Sequence, residues 1–127
     1  MFTSEQMTGS GQMNMLDQIN STEERIEALR SLPHKFHSDP GHGWLEVEYQ
    51  DLLNLRIAGD ISGYSYRDGS KVYLEEDMDA GTYINALFGE YGKRTPEQSE
   101  QATNWIELMQ NYDTNGQSFI RSLNHYR

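Results

Sequence analysis

The chain has 127 residues, and its 20 Asp and Glu against 10 Lys and Arg give a formal net charge of -10. This length fits one domain of ordinary size, the absence of cysteine excludes disulfides and thiolate metal sites, and no apolar run is long enough to span a membrane. The acidic surplus disfavours direct binding of nucleic acid, because neutralising phosphates needs a basic surface.

Residues 1–20 are polar and rich in Met, Gln, Ser and Gly, and the stretch Thr8-Gly9-Ser10-Gly11 has the composition of a flexible linker. We therefore expect a flexible arm over 1–20, followed by a single domain over 21–127.

Helix signals recur along that domain. Ser21 with Glu24 has the form of a capping box and predicts a helix over 22–31 that ends before Pro33. A short helix is expected over 49–55. The next helix begins after Asp79, whose carboxylate we expect to cap it, and carries a broad apolar face. Thr95 and Pro96 begin another helix, with the buried stripe Ala102, Trp105, Ile106, Met109 and Tyr112, and a last short helix follows at Phe119, Ile120 and Leu123.

The strand signals are fewer. Residues 33–43 contain two prolines and two glycines, which predicts a structured loop, and Trp44 to Val47 predicts a short strand. Alternation around the turn dipeptide Asp68-Gly69 predicts a β-hairpin over 61–75. The chain therefore reads as α+β: a small antiparallel sheet of about three strands with helices packed on one face, a core over 36–90, and C-terminal helices over 95–126.

A histidine-rich loop is one candidate site. Three imidazoles and a carboxylate could bind zinc or a similar metal, and here they are His34, His37, Asp39 and His42. Their spacing is irregular, however, and Asp39-Pro40-Gly41 forms a good turn by itself. We assign no metal and no cofactor, and keep these four residues as weak metal candidates.

The second candidate is the end of the hairpin, where carboxylates and tyrosines lie close together in the sequence. The bland interpretation is a solvated helix N-terminus, where negative charge is favourable. The alternative is a surface that binds a partner, because tyrosines are good interface anchors and a large net charge steers oppositely charged partners. The predicted binding residues are Glu75, Glu76, Asp77, Asp79, Tyr64, Tyr66 and Tyr73.

No catalytic residue is assigned, because neither a Gly-x-Ser-x-Gly elbow nor a phosphate-binding glycine loop is present.

Three stretches of the chain resemble small bacteriophage and prophage accessory proteins, over about residues 36–90. They are His37-Ser38-Asp39-Pro40-Gly41-His42-Gly43-Trp44-Leu45, Ile61-Ser62-x-Tyr64-Ser65-Tyr66 and Val72-Tyr73-Leu74-Glu75-Glu76-Asp77. The resemblance implies a phage or mobile-element origin and assigns no chemistry. The start of the chain lacks the basic and apolar regions of a secretory signal, so the expected location is the host-cell cytoplasm, with the virus particle as the alternative.

The leading hypothesis is a non-enzymatic inhibitor of a basic, nucleic-acid-handling host protein, such as a defence nuclease or an RNA-guided complex. Its carboxylates would stand where phosphates normally lie. The first alternative is a small structural or adaptor protein of the virus particle, and the second is a metal-dependent enzyme at the histidine-rich loop. The sequence leaves the identity of the partner and the oligomeric state open.

Overall fold

The computed structural model describes residues 15–127, which form a six-stranded sheet with four helices. The strands are β1 (Lys35–Ser38), β2 (Gly43–Glu48), β3 (Tyr66–Asp68), β4 (Lys71–Glu75), β5 (Gln110–Asp113) and β6 (Asn124–His125). Their order across the sheet is β5-β1-β2-β4-β3-β6. All neighbours are antiparallel except β5 and β1, which are parallel. The prediction of a small antiparallel sheet of about three strands was wrong, although the α+β class is correct.

The additional strands arise from long-range pairing. Residues 33–43 were predicted as a loop, yet β1 lies within them and pairs with β2. Tyr112 was predicted to lie on a helix, but that helix ends at Glu107 and the chain continues as β5. The backbone N–H of Gln110 donates to the carbonyl of His34 at 2.8 Å, which begins the parallel ladder. Pairing with β1 holds residues 110–113 in an extended strand conformation, which overrides their local helical pattern.

The predicted hairpin is present but shorter than expected. β3 begins at Tyr66 rather than at residue 61, and a two-residue turn of Gly69 and Ser70 joins it to β4. Gly69 has φ of 63°, a conformation that glycine adopts without steric cost. Residues 61–65 form a loop instead of a strand, and this loop carries Tyr64 on the surface.

The helices are α1 (Met15–Leu29), α2 (Tyr49–Asn54), α3 (Asp79–Phe88) and α4 (Pro96–Glu107), with single 3-10 turns at Ala58–Asp60 and Phe119–Ser122. The capping box expected at Ser21 was wrong, because α1 already begins at Met15. Residues 1–14 of the predicted arm lie outside the described residues. The start of α4 is as predicted, since Thr95 and Gln98 form a complete capping box. The last predicted helix is only a 3-10 turn.

The two faces of the sheet have different environments, because side chains alternate along each strand. Leu45, Val72 and Leu74 face the helices and join the main core with Tyr83 and Trp105. Trp44, Tyr73 and Tyr66 point to the other face, which we call the outer face, where Ile120 and Leu123 cover part of them. Phe119 packs edge-on against His37 and Tyr73 on the same face. No helix between residues 15 and 127 has both the length and the apolarity needed to cross a bilayer.

Candidate functional site

A cleft with a volume of about 370 Å³ opens on the outer face beside the hairpin. Its walls combine aromatic rings with carboxylates. They are formed by His42, Trp44, Tyr64, Tyr66, Glu75, Asp77, Met78, Arg121 and His125. The structure thus brings together four of the seven residues that the sequence suggested for binding, namely Tyr64, Tyr66, Glu75 and Asp77.

The rings of the cleft form a graded wall. Trp44 is almost fully buried at its base, and Tyr66 meets it edge-on with 6.2 Å between the ring centroids. The His125 ring contacts the Tyr66 ring, with 4.6 Å between the ring centroids and a tilt of 31° between their planes. Tyr64 is 70% exposed. An exposed tyrosine beside a concave aromatic surface is typical of a residue that contacts a partner.

The carboxylates beside the cleft are uncompensated. Glu75 is half-buried, and Glu76 and Asp77 are exposed. Glu75 and Asp77 line the cleft, whereas the Glu76 carboxylate lies near Gly43 and Phe36 and does not line it. Within the described part of the chain, none of the three lies within 4.0 Å of a Lys, Arg or His nitrogen. We call Glu75, Glu76 and Asp77 the acidic corner.

Glu46 and Glu48 on the sheet and Asp51 on α2 are paired with cations of the described chain. Asp68 and Asp113 at strand ends are not. Glu48 and Glu46 both contact Lys71, at 2.5 and 3.4 Å. Asp51 receives two hydrogen bonds of 2.9 Å from Arg25. The acidic corner therefore differs from Glu46, Glu48 and Asp51 in having no cation of the described chain beside it.

Asp79 does not belong to this surface, because its side chain is buried at the start of α3. Its Oδ2 accepts hydrogen bonds from the backbone N–H of Ser62 at 3.0 Å, the hydroxyl of Ser62 at 2.7 Å and the hydroxyl of Ser65 at 2.5 Å. Those hydroxyls in turn accept from the backbone N–H groups of Tyr64 and Glu75. Asp79 thus positions two residues of the cleft without lining it.

Tyr73 also lies apart from the cleft. It is 6% exposed, and Phe119 meets it edge-on with 5.7 Å between the ring centroids. Burial raises the pKa of its hydroxyl.

An internal ion pair closes one end of the cleft. Arg121 donates two hydrogen bonds to Asp39, at 2.6 and 2.8 Å, and its guanidinium lies 5.5 Å from the Trp44 ring centroid. Backbone N–H groups of Ser118, Gly41 and His42 also donate to Asp39, each at 3.0 Å. The pairing with Arg121, supported by these N–H groups, holds the pKa of Asp39 well below its usual range.

The histidine-rich loop is not assembled as a metal site. The ring of His34 is buried between the Leu32 carbonyl and the Tyr83 hydroxyl, and burial lowers its pKa. His37 contacts Glu46 at 2.8 Å, Asp39 is held by Arg121, and His42 faces the cleft. Over residues 20–127, whose side chains the structure describes, no three His, Asp or Glu side chains are arranged to hold a metal ion.

Sequence reasoning did not select Trp44, Met78, Arg121 or His125 as parts of a site. Arg121 and His125 reach the cleft from the end of the chain, through the 3-10 turn and β6. Nothing local in the sequence marks them. The pairing of His125 with Tyr66, which places these two rings in contact, depends on the sheet order.

Comparisons with protein-family models, curated proteins and solved structures gave no match for this chain. The geometry and the charge of the cleft are therefore the features that bear on function.

Proposed function

We propose that this chain is a non-enzymatic phage accessory protein that binds and inhibits a basic, nucleic-acid-handling protein of the host. The acidic corner occupies positions that phosphates take in the partner's groove, and Tyr64 and Tyr66 supply apolar contacts beside it. The phage origin rests on the resemblance of the hairpin and its neighbouring loop. The partner class rests on charge and on the cleft.

One observation carries the proposal: Glu75 and Asp77 of the acidic corner line an open aromatic cleft, and neither pairs with a cation from the described chain. A single-sign patch of this kind attracts a basic groove and accelerates encounter. The tyrosines add the contact area that charges alone do not provide, since aromatic residues dominate the energetics of interfaces.

The inhibition follows from occupancy. Lys and Arg side chains that normally hold phosphates would pair with Glu75, Glu76 and Asp77 instead. The groove would then be unavailable to nucleic acid while the complex lasts. No covalent step and no cofactor is needed for this mechanism.

The experiment is affinity capture of the partner from host cells, with the full chain as bait and washes at about 50 and 500 mM salt. The test variant is Glu75→Gln, Glu76→Gln, Asp77→Asn. Each exposed charge pair contributes about 0.2–1 kcal/mol, so removing three weakens binding by about 3- to 150-fold. The captured protein is then assayed for loss of nucleic-acid binding when the bait is added.

The matched control changes Glu97, Glu100 and Glu107 to Gln. These residues are exposed on α4, which packs against the opposite face of the sheet, and the net charge changes by the same amount. We expect the control to bind like the unmodified chain. Equal loss of binding in both variants, or binding that does not weaken with salt, would contradict the proposal.

A structural or adaptor role in the virus particle is the second candidate, favoured by the free edge of β5. All four residues of this strand are exposed, and β1 is its only partner among the described strands. Leu108, just before this strand, is 55% exposed, and Tyr112, within it, is 43% exposed. Exposed edges pair readily with other chains. Detection of the protein in purified particles at a fixed copy number would favour this role over inhibition.

A further inference from the structure

We propose that the cleft is an arginine pocket: it takes a guanidinium group from the partner in preference to a lysine ammonium. This inference rests on the proposed function, since it names the side chain through which a basic partner would engage the outer face.

The first argument is the shape and chemistry of the walls. The Tyr66 and His125 rings contact each other at an interplanar angle of 31°, and Tyr64 lines the same cleft with an exposed ring. A guanidinium is planar and weakly hydrated, so it stacks on such rings, whereas an ammonium keeps its water. The aromatic walls therefore favour the planar cation.

The second argument is the placing of the acids. Glu75 and Asp77 both line the cleft and are two residues apart on the segment that leaves β4. A guanidinium carries five donors in one plane and can pair with a carboxylate through two of them while others reach a second acceptor. A single ammonium offers no such fixed geometry.

The third argument comes from the protein's own guanidinium. Arg121 lies over Trp44 in this cleft and pairs with Asp39 through two hydrogen bonds, which is the combination of ring and carboxylate that the pocket would offer a partner. Asp39 neutralises Arg121, so Glu75 and Asp77 stay available to an incoming cation. The fit around Arg121 is close, because a Cβ on Gly41 would lie 2.8 Å from its Nη2.

The test is a titration of the full chain with three capped tripeptides, Gly-Arg-Gly, Gly-Lys-Gly and Gly-citrulline-Gly, followed by NMR. Citrulline keeps the shape of arginine without its charge. We expect the arginine peptide to shift the Trp44 indole resonance but not that of Trp105. We expect the lysine peptide to bind at least about 5-fold more weakly than the arginine peptide. The citrulline peptide is expected to bind more weakly than the arginine peptide.

Two variants and one control locate the binding. Tyr64→Ala is expected to weaken arginine-peptide binding by about 2- to 5-fold, and Glu75→Gln by about 1.5- to 5-fold. Tyr91→Ala is the control, because Tyr91 is 81% exposed and outside the cleft, and it should leave binding unchanged. Tyr64 and Tyr91 are both exposed, so Tyr64→Ala and Tyr91→Ala should keep the urea midpoint of the unmodified chain.

Equal affinity for the lysine and arginine peptides would overturn the arginine preference and leave the proposed function intact. Failure of the arginine peptide to bind, or binding insensitive to Tyr64→Ala, would overturn the pocket itself. Capture of a basic partner that depends on the acidic corner is measured separately, so the two proposals can fail independently.

Discussion

Replacing Asp79 by alanine tests whether this buried carboxylate holds the loop that carries Tyr64. In the structure, one carboxylate oxygen accepts three hydrogen bonds from Ser62 and Ser65. Alanine removes that acceptor and leaves the backbone N–H of Ser62 without its partner. The hydroxyls of Ser62 and Ser65 lose the same partner. Nothing then fixes the orientation in which they accept hydrogen bonds from the backbone N–H groups of Tyr64 and Glu75.

The change in the free energy of unfolding caused by Asp79→Ala is the difference between two opposing contributions. Each hydrogen bond to a charged group contributes about 1.5–3 kcal/mol. Against this, keeping a carboxylate out of water costs roughly several kcal/mol. The other carboxylate oxygen, Oδ1, is buried without a hydrogen-bond partner among the described residues, which adds to that cost. Since a stranded N–H alone costs about 1–3 kcal/mol, we expect Asp79→Ala to lower the free energy of unfolding by about 2–3 kcal/mol.

The assay is urea denaturation followed by circular dichroism, with thermal unfolding as a second measure. For a domain of this length, a loss of about 2–3 kcal/mol corresponds to a fall in Tm of about 6–15 °C. Asp77→Ala is the matched control, because it is the same substitution at an exposed acid two residues away. We expect the control to change stability by less than about 0.5 kcal/mol.

A second readout separates positioning from stability. At a temperature where the Asp79→Ala protein is folded, its affinity for the arginine peptide should fall, because Tyr64 and Glu75 are less well placed. If Asp79→Ala and Asp77→Ala had the same urea midpoint, the buried carboxylate would not hold the loop. The account of how the cleft is built would then be wrong.

Two further predictions concern the ion pair and the hairpin. The folded-state pKa of Asp39 is lowered well below its usual range, so its contribution to stability is fully present above the unfolded pKa of about 3.9 and declines progressively as the pH falls toward the folded pKa. Asp39→Asn should therefore destabilise the protein at neutral pH, and the difference in urea midpoint from the unmodified chain should narrow, without vanishing, as the pH is lowered to about 2.5. Gly69→Ala should lower the free energy of unfolding by about 1–2 kcal/mol. Because φ is 63° and nothing lies within 4 Å of the new Cβ, this penalty is conformational. Gly59→Ala, with equal space and no positive φ, should leave the urea midpoint unchanged, and equal losses in the two variants would refute this reasoning.

The parts of the fold that the sequence predicted are those with local signals. The capping box at Thr95 and Gln98 is satisfied by residues three apart, and the turn at Gly69 joins adjacent strands. In both cases the residues that decide the structure are close together in the chain. Such signals survive folding because tertiary contacts reinforce them rather than oppose them.

The strands that were missed are decided by distant partners. Tyr112 fits a helical stripe and also fits a strand, and the pairing of β5 with β1 decides between them. In the same way, β1 follows a proline and precedes a tight turn at Asp39, which makes the segment look irregular. Its extended conformation is stabilised by β2 on one side and β5 on the other.

The candidate site shows the same division within a single run of acids. Glu75, Glu76, Asp77 and Asp79 are chemically alike and nearly consecutive, and the sequence distinguished only Asp79, as a helix cap. That prediction was wrong, because α3 begins at Asp79 itself and its carboxylate binds Ser62 and Ser65 instead. The serines of the 61–65 loop draw Asp79 into the interior, while the end of β4 leaves the other three at the surface. Burial of one acid thus depends on hydrogen-bond donors from a different segment.

The net charge of -10 bears on function through the positions of the acids that are not paired with cations. Lys71 and Arg25 neutralise acids on the outer face and on α2, and Arg121 neutralises Asp39 within the cleft itself. The acidic corner has no such cation in the described chain, although it lies on the same sheet. A coat of charge that served solubility alone would not require unpaired acids to lie beside an exposed tyrosine. The presence of Glu75, Asp77 and the exposed Tyr64 in one cleft is what favours a basic partner there.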